Sequence, residues 1–368
     1  MNAPTLPGWF SAPGAYVLVD GQFGSTGKGL LAGWLAKVGA GKITHVTTNA
    51  GPNSGHTAFD DDGNKIMTQQ IPVASVFLED MGESVTTFLN AGAIIDEDIL
   101  DKEIESYEFA HAIREQRLLV HPVAALITDE DRAEDQAVLN RISGTGKGVG
   151  PALSRKTQRT GRGLARDVYA PFLPSGDRTW DNFWDWRTDV VFVETAQGFS
   201  LGLNSARFHP YTTSRECTVG QALADARIPA QMLRKVVACF RTFPIRVGNA
   251  GEGHSGEGYD DQTEISWEDV GVQPEITTVT KRQRRVFTWS RRQFIECVAI
   301  NRPDVIFLNF CNYLHTEELK VLLTQILVDY IDTMGGRSPE AILLGFGPKS
   351  EDIISLDDWS ARQPGQSV

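Results

Sequence analysis

Between Ala15 and Val38 the chain reads "AYVLVD", then "GQFGSTGKG", then "LLAGWLAKV". A short apolar, β-rich run stops at glycines. A segment with apolar residues at helical spacing (Leu30, Leu31, Trp34, Leu35) follows it. Strand, glycine-rich loop and helix in that order admit few folds. Further buried-strand candidates are "ITHVTT" (43–48), "VVFVE" (190–194), "DVIFLNF" (304–310) and "AILLGFG" (341–347). Helical patterns lie between them, as in "DEDILDKEIESYEFAHAI" and "TEELKVLLTQILVDYIDTM". Strands alternating with helices predict an α/β fold with a large, mainly parallel central sheet and helices on both faces. Such sheets bind ligands at the carboxyl ends of their strands.

Polar or glycine-rich loops follow several of these strands: "NAGPNSGHT" (49–57), "SGTGKGVGP" (143–151), "TAQG" (195–198) and "GNAGEGHSGEG" (248–258). No linker interrupts the 368 residues, so one domain over 1–368 is expected, with an N-terminal extension over 1–14 and a polar tail over 362–368. A net charge of -12 argues against nucleic acid as a partner. The N-terminus has neither a signal-peptide pattern nor an apolar run of membrane-spanning length. Cys217, Cys239, Cys297 and Cys311 lack metal-ligand spacing and are expected as buried free thiols in a reducing cytoplasm, a host's if the source is viral.

The first loop departs from the Walker A spelling. Gly21 precedes Gly27 and Lys28 by one residue too many, and Gly29 stands where Ser or Thr would meet a magnesium ion. The physical parts remain: glycines that let backbone N–H groups converge on an anion, the positive end of a helix, and the Lys28 ammonium. A plain glycine turn is the bland alternative; its place directly after an apolar strand favours phosphate binding. In the second loop His56 sits among small residues that leave it reachable, and histidine as a type changes charge near neutral pH.

Together these loops resemble the paired signatures of the adenylosuccinate synthetase family, as "GQFGSTGKG" and "AGPNSGHT". More of that family's pattern follows in order: "GTGKGVGPA" (144–152), "ETAQG" (194–198), "HPYTTS" (209–214), "TTVTKRQRR" (277–285) and "FGPK" (346–349). The resemblance covers nearly the whole chain. It implies a Mg²⁺-dependent carbon–nitrogen ligase that moves the γ-phosphate of a nucleoside triphosphate to O6 of a purine monophosphate, after which the amino group of L-aspartate displaces phosphate at C6.

Carried onto this sequence, the resemblance makes His56 the general acid, and Ser25 and Gln197 further catalytic positions. Gly24, Gly27, Lys28, Gly29, Thr57, Asn312, Gly347 and Pro348 would hold the triphosphate. Asn53, Thr145, Thr213, Ser25 and Gln197 would hold the monophosphate, with Arg159 reaching in from the partner of a homodimer. Thr278, Thr280, Arg282 and Arg284 would clamp aspartate; a guanidinium suits a carboxylate. Gly55, through its carbonyl, and Ser25 would face the metal. An exposed basic strand is the bland reading of "TKRQRR".

Two departures narrow the substrate. The family carries an aspartate at the place of Ser25, which takes the purine N1 proton. A hydroxyl cannot do so, but it is shorter, uncharged, and can donate or accept a hydrogen bond beside a 2-amino group. This resembles the family's bacteriophage variant, which uses dGMP on the route to 2-aminoadenine DNA. The family also reads a guanine donor base with an aspartate where Asn312 stands here. An amide pairs with the N1 and N6 edge of adenine, so ATP or dATP is the expected phosphoryl donor. Phe310 could stack on that base or be core. An ordinary synthetase acting on IMP, and a non-catalytic nucleotide switch, stay open as alternatives.

Overall fold

The computed structural model of the chain describes residues 8–169, 178–250, 253–277 and 281–362, with 138–141 described in backbone only. The expected tail over 362–368 lies almost wholly outside the described residues.

Nine strands form the central sheet: β1 (Gly14–Asp20), β2 (His45–Thr48), β3 (Thr86–Leu89), β4 (Leu118–Val120), β5 (Val190–Glu194), β6 (Leu233–Arg241), β7 (Val305–Asn309), β8 (Ala341–Gly345) and β9 (Ile353–Ser355). Their order across the sheet is β9-β8-β7-β6-β1-β5-β2-β3-β4. Every neighbouring pair is parallel except β8 with β9 at one edge. The strands read as near-continuous apolar runs because both faces are covered. Tyr16, Leu18, Phe192 and Phe307 pack on one face, against the helix α1 (Lys28–Gly39) and the helix α2 (Val73–Asp80). Val17, Val19, Val193, Phe240 and Leu308 alternate onto the other, against helices at Val219–Asp225, Arg291–Asn301 and Thr316–Thr333.

All five strands read from the sequence are present, as β1, β2, β5, β7 and β8. The pattern over 96–113 resolves into two helices, Glu97–Ser106 and Ala110–Arg114. Between them Glu108 has a positive φ of 56° and Phe109 is fully buried, which turns the chain. Trp9 and Phe10, in the stretch read as an extension, pack into the core beside Tyr16. The four cysteines are free and buried. Among the described residues no helix is long and apolar enough to cross a membrane. A small antiparallel sheet (Ile245–Arg246, Arg285–Phe287, Glu264–Ile265) and a hairpin (His56–Phe59 with Lys65–Thr68) stand above the carboxyl edge of the main sheet.

Candidate active site

Asp20 ends β1 and organises the glycine-rich loop. Its buried carboxylate accepts backbone N–H bonds from Gln22 (2.9 Å), Gly24 (3.1 Å) and Thr26 (3.3 Å), and the Thr26 hydroxyl at 2.6 Å. The Lys28 ammonium lies 3.3 Å from the same carboxylate and donates to the Gln197 carbonyl at 2.8 Å. Gln22 pairs with the backbone of Arg241 through both ends of its amide, at 3.0 and 3.2 Å, which ties the loop to β6.

The loop is drawn tight. Gly27 has a φ of +95°, and a Cβ there would fall 2.0 Å from the Asn309 amide nitrogen. A Cβ on Gly29 would fall 2.5 Å from the Thr57 carbonyl oxygen. The missing Walker Ser or Thr thus has a structural cause: α1 begins hard against the backbone of the His56 hairpin, which leaves no room for a side chain. Ser25, between Gly24 and Gly27, is exposed and left-handed, with a φ of 57°.

His56 begins the hairpin and is buried. Its Nδ1 lies 3.5 Å from Glu194 Oε2 at the end of β5. Glu194 in turn accepts from the N–H groups of Val73 (3.2 Å) and Ala74 (2.6 Å) at the start of α2. A carboxylate held by a helix N-terminus is a fixed anchor for the ring.

Two lobes open from this centre. A cavity of about 380 Å³ is bordered by Gly27, Gly29, Thr57, Phe310, Asn312, Gly347 and Pro348. A second hollow, continuous over two parts, is bordered by Phe23, Asn53, Thr145, Gln197 and Arg246, with Gly24 at its near end and Thr213 at its far end. Ser25, Lys28, Gly55, His56 and Arg284 border both lobes. Many of the lining residues lie just beyond the carboxyl ends of β1, β2, β5, β7 and β8, while Thr145 comes from between the helices Asp129–Ile142 and Val149–Thr157.

The expected triphosphate residues therefore gather in one lobe, apart from Gly24, and the expected monophosphate residues in the other, apart from Arg159. That arginine is exposed and borders neither lobe of the single chain. Arg282 is engaged with main chain, donating to the carbonyls of Gly248 and Gly144. Arg284 sits at the junction, and burial pulls its pKa down to about 10. Thr278 and Thr280 lie outside the described residues.

No group of three or more His, Cys, Asp or Glu among the described residues is placed to hold a metal. The junction offers neutral oxygens from Ser25 and Gly55. That donor set fits a hard divalent cation that keeps its waters and is carried chiefly by nucleotide phosphates.

Several residues escaped the sequence reading. Asp20 and Glu194 had a usable signal, an acid at the carboxyl end of an apolar strand next to a glycine loop. Arg241 and Arg246 had little. Arg246 is buried and donates to the carbonyls of Glu257, Tyr211 and Ser255, and its guanidinium carbon stands 4.5 Å from the centre of the Phe23 ring. Burial, then the neighbouring Arg285 charge, lower its pKa to about 9.

The family model described as adenylosuccinate synthetase matches residues 17–171 and 180–330. A Salmonella phage PMBT28 protein named N6-succino-2-amino-2'-deoxyadenylate synthase is 37% identical over 365 residues, 92% of this chain and 96% of its own. A Vibrio phage phiVC8 protein of the same name is 38% identical over 358 residues, 93% and 98% of the two chains. Among solved structures, the cyanophage S-2L succinoaminodeoxyadenylate synthetase, bound to dGMP and to dATP as an energy donor, superposes with a TM-score of 0.75 at 31% identity. The match covers 94% of this chain and 95% of that one. The fully ligated adenylosuccinate synthetase of Plasmodium falciparum shares the fold, with a TM-score of 0.69 at 18% identity over 92% and 99% of the chains.

Proposed function

The chain belongs to the adenylosuccinate synthetase family, whose members are carbon–nitrogen ligases, and on that premise we propose that it joins dGMP to L-aspartate with hydrolysis of ATP or dATP. The product is 2-amino-2'-deoxyadenylosuccinate. The observation that carries this reading is the meeting of two lobes at Ser25, Lys28, Gly55, His56 and Arg284. A phosphoryl group leaving one ligand there is already beside the other.

In this reading the adenine base of the donor enters the Asn312 lobe, with the amide on its N1 and N6 edge and the Phe310 ring against its face. Lys28 exchanges its bond to the Gln197 carbonyl for the donor's phosphates. Magnesium, when bound, offsets the phosphate charge, with the Gly55 carbonyl and the Ser25 hydroxyl as its protein oxygens. The monophosphate lies in the second lobe, its phosphate toward Thr145 and Thr213 and its purine toward Gln197 and Ser25. The bond from the γ-phosphorus to the β-phosphate oxygen breaks as the bond to O6 forms, the purine N1 proton leaves to water, and O6 becomes a good leaving group. His56, held by Glu194, donates a proton to stabilise the developing charge. The aspartate amine then attacks C6, the C6–O6 bond breaks, and phosphate departs. Arg284 is placed to take an aspartate carboxylate.

Ser25 supports a guanine-type acceptor because a neutral hydroxyl can face a 2-amino group that a carboxylate would crowd. The phage relatives carry the corresponding name, and the cyanophage structure binds dGMP and dATP. The test is phosphate release with aspartate and each of dGMP, GMP and IMP, run with ATP and with GTP. The expected result is turnover with dGMP and ATP. Turnover of IMP alone would reject the guanine reading, and aspartate-independent nucleotide binding without turnover would favour a switch.

A further inference from the structure

Arg241 ends β6, is completely buried, and borders neither lobe. Its guanidinium nevertheless touches parts of the machinery that handle three different ligands. Nη1 donates to the Ser25 carbonyl at 3.1 Å and to Glu275 Oε2 at 3.1 Å, and Nη2 donates to Glu275 Oε1. The flat group lies 4.0 Å from the centre of the Phe310 ring. Phe310, with a left-handed φ of 60°, borders the donor lobe. Glu275 opens the Thr- and Arg-rich segment, and its carbonyl accepts the Arg284 N–H at 2.9 Å. The Arg241 backbone is itself locked to Gln22 of the phosphate loop.

A buried ion pair made only for stability has no need of a shared third acceptor or of an aromatic face. Here one nitrogen bridges the acceptor-side loop and the aspartate-side segment, while the plane of the group backs the ring that meets the donor base. Among the described residues the buried Arg241 Nε and Arg284 Nε have no hydrogen-bond partner, though Arg284 Nε stands 3.9 Å from Glu275 Oε2. A small shift of the group therefore breaks no bond from Nε. Pressure of a base on Phe310 is passed to a rigid planar group whose hydrogen bonds, among the described residues, run to Ser25 and Glu275.

We propose that Arg241 is a positioning residue that couples occupation of the donor lobe to the placement of Ser25 in the acceptor lobe. This rests on the assignment of the two lobes made above. Coupling of this kind is reciprocal: a donor that seats Ser25 correctly raises affinity for the monophosphate, and the monophosphate raises affinity for the donor by the same factor.

The test is titration calorimetry of dGMP with and without a non-hydrolysable ATP analogue and Mg²⁺. In the unaltered protein the analogue is expected to tighten dGMP by about fivefold or more. The double variant Arg241→Met, Glu275→Gln removes both charges of the pair, and Arg284, whose Nε lies 3.9 Å from Glu275 Oε2, loses that counter-charge. It is expected to bind each ligand singly while the ratio falls below about twofold. If that variant does not fold, Phe310→Leu deletes the ring alone and is expected to lower the ratio likewise. An unchanged ratio in a folded variant, or no coupling in the unaltered protein, overturns the inference and leaves the lobe assignment standing. Failure of the unaltered protein to bind either nucleotide overturns the lobe assignment itself.

Discussion

In the proposed reading Ser25 and Asn312 decide the chemistry of the two lobes, and each stands where the sequence resemblance implies an aspartate. Ser25 is presented at the junction by a left-handed backbone flanked by glycines, a conformation that costs a non-glycine residue energy unless its surroundings enforce it. Arg241 enforces it by holding the Ser25 carbonyl. Asn312 borders the donor lobe beside Phe310. Restoring the acid there, Asn312→Asp, is expected to shift donor preference from ATP toward GTP by about 1–3 kcal/mol, the scale of one bidentate base contact. Ratios of kcat/KM for the two donors check it, and an undiminished ATP preference would show that the amide does not read the base. These residues stand out in the sequence because each replaces an aspartate that the resemblance implies, Ser25 within a loop that keeps Gly24, Gly27 and Lys28. Arg241 does not, because nothing in "LRKVVACFR" distinguishes a buried bridging arginine from the charged end of an exposed strand.

The elements were legible where periodicity was clean. β1, β5, β7 and β8 are uninterrupted apolar runs. β6 was missed, because Arg234, Lys235 and Arg241 bracket its apolar centre and give the segment a mixed appearance. The contact between α1 and the His56 hairpin could not be read either, since it is a tertiary approach of two backbones. It has a measurable consequence. Gly29→Ser, which would restore the Walker hydroxyl though not its spacing, is expected to cost about 1–3 kcal/mol of stability by overpacking against Thr57. Chemical denaturation checks it, and a neutral or stabilising result would mean that the hairpin can retreat.

Two histidines report on the sheet. Burial lowers His45, at the start of β2, from 6.5 to about 4, with Asp189 opposing the shift and Arg178 adding to it. His121, just after β4, is likewise lowered to about 4, by burial first and Lys156 second. Folded, both stay neutral where the unfolded chain would take up protons. The stability they contribute is complete above about pH 6.5 and is lost as pH falls toward 4, to the extent of about 3 kcal/mol for His45. Thermal unfolding between pH 7 and 4, compared with a His121→Asn variant, is expected to show a falling midpoint and a shallower fall in the variant.

For the whole molecule, the open question posed by the site is Arg159, which the sequence places at the monophosphate and the single chain leaves on the surface. In a homodimer with exchanged arginines, His56→Ala and Arg159→Ala proteins would each be inactive. Mixed and allowed to exchange subunits, they are expected to regain activity, because each mixed dimer holds one site with both residues intact. Two inactive proteins that stay inactive after verified exchange would put Arg159 in its own chain's site or in none.

The placing of β1 between β5 and β6 also bears on how the chain comes into being. A ribosome makes the glycine-rich loop well before its flanking walls, 190–194 and 233–241. Until then an apolar strand waits with both edges bare, the condition in which nascent chains cling to one another or to a chaperone. The glycine-rich loop is thus written well before the strands that set it.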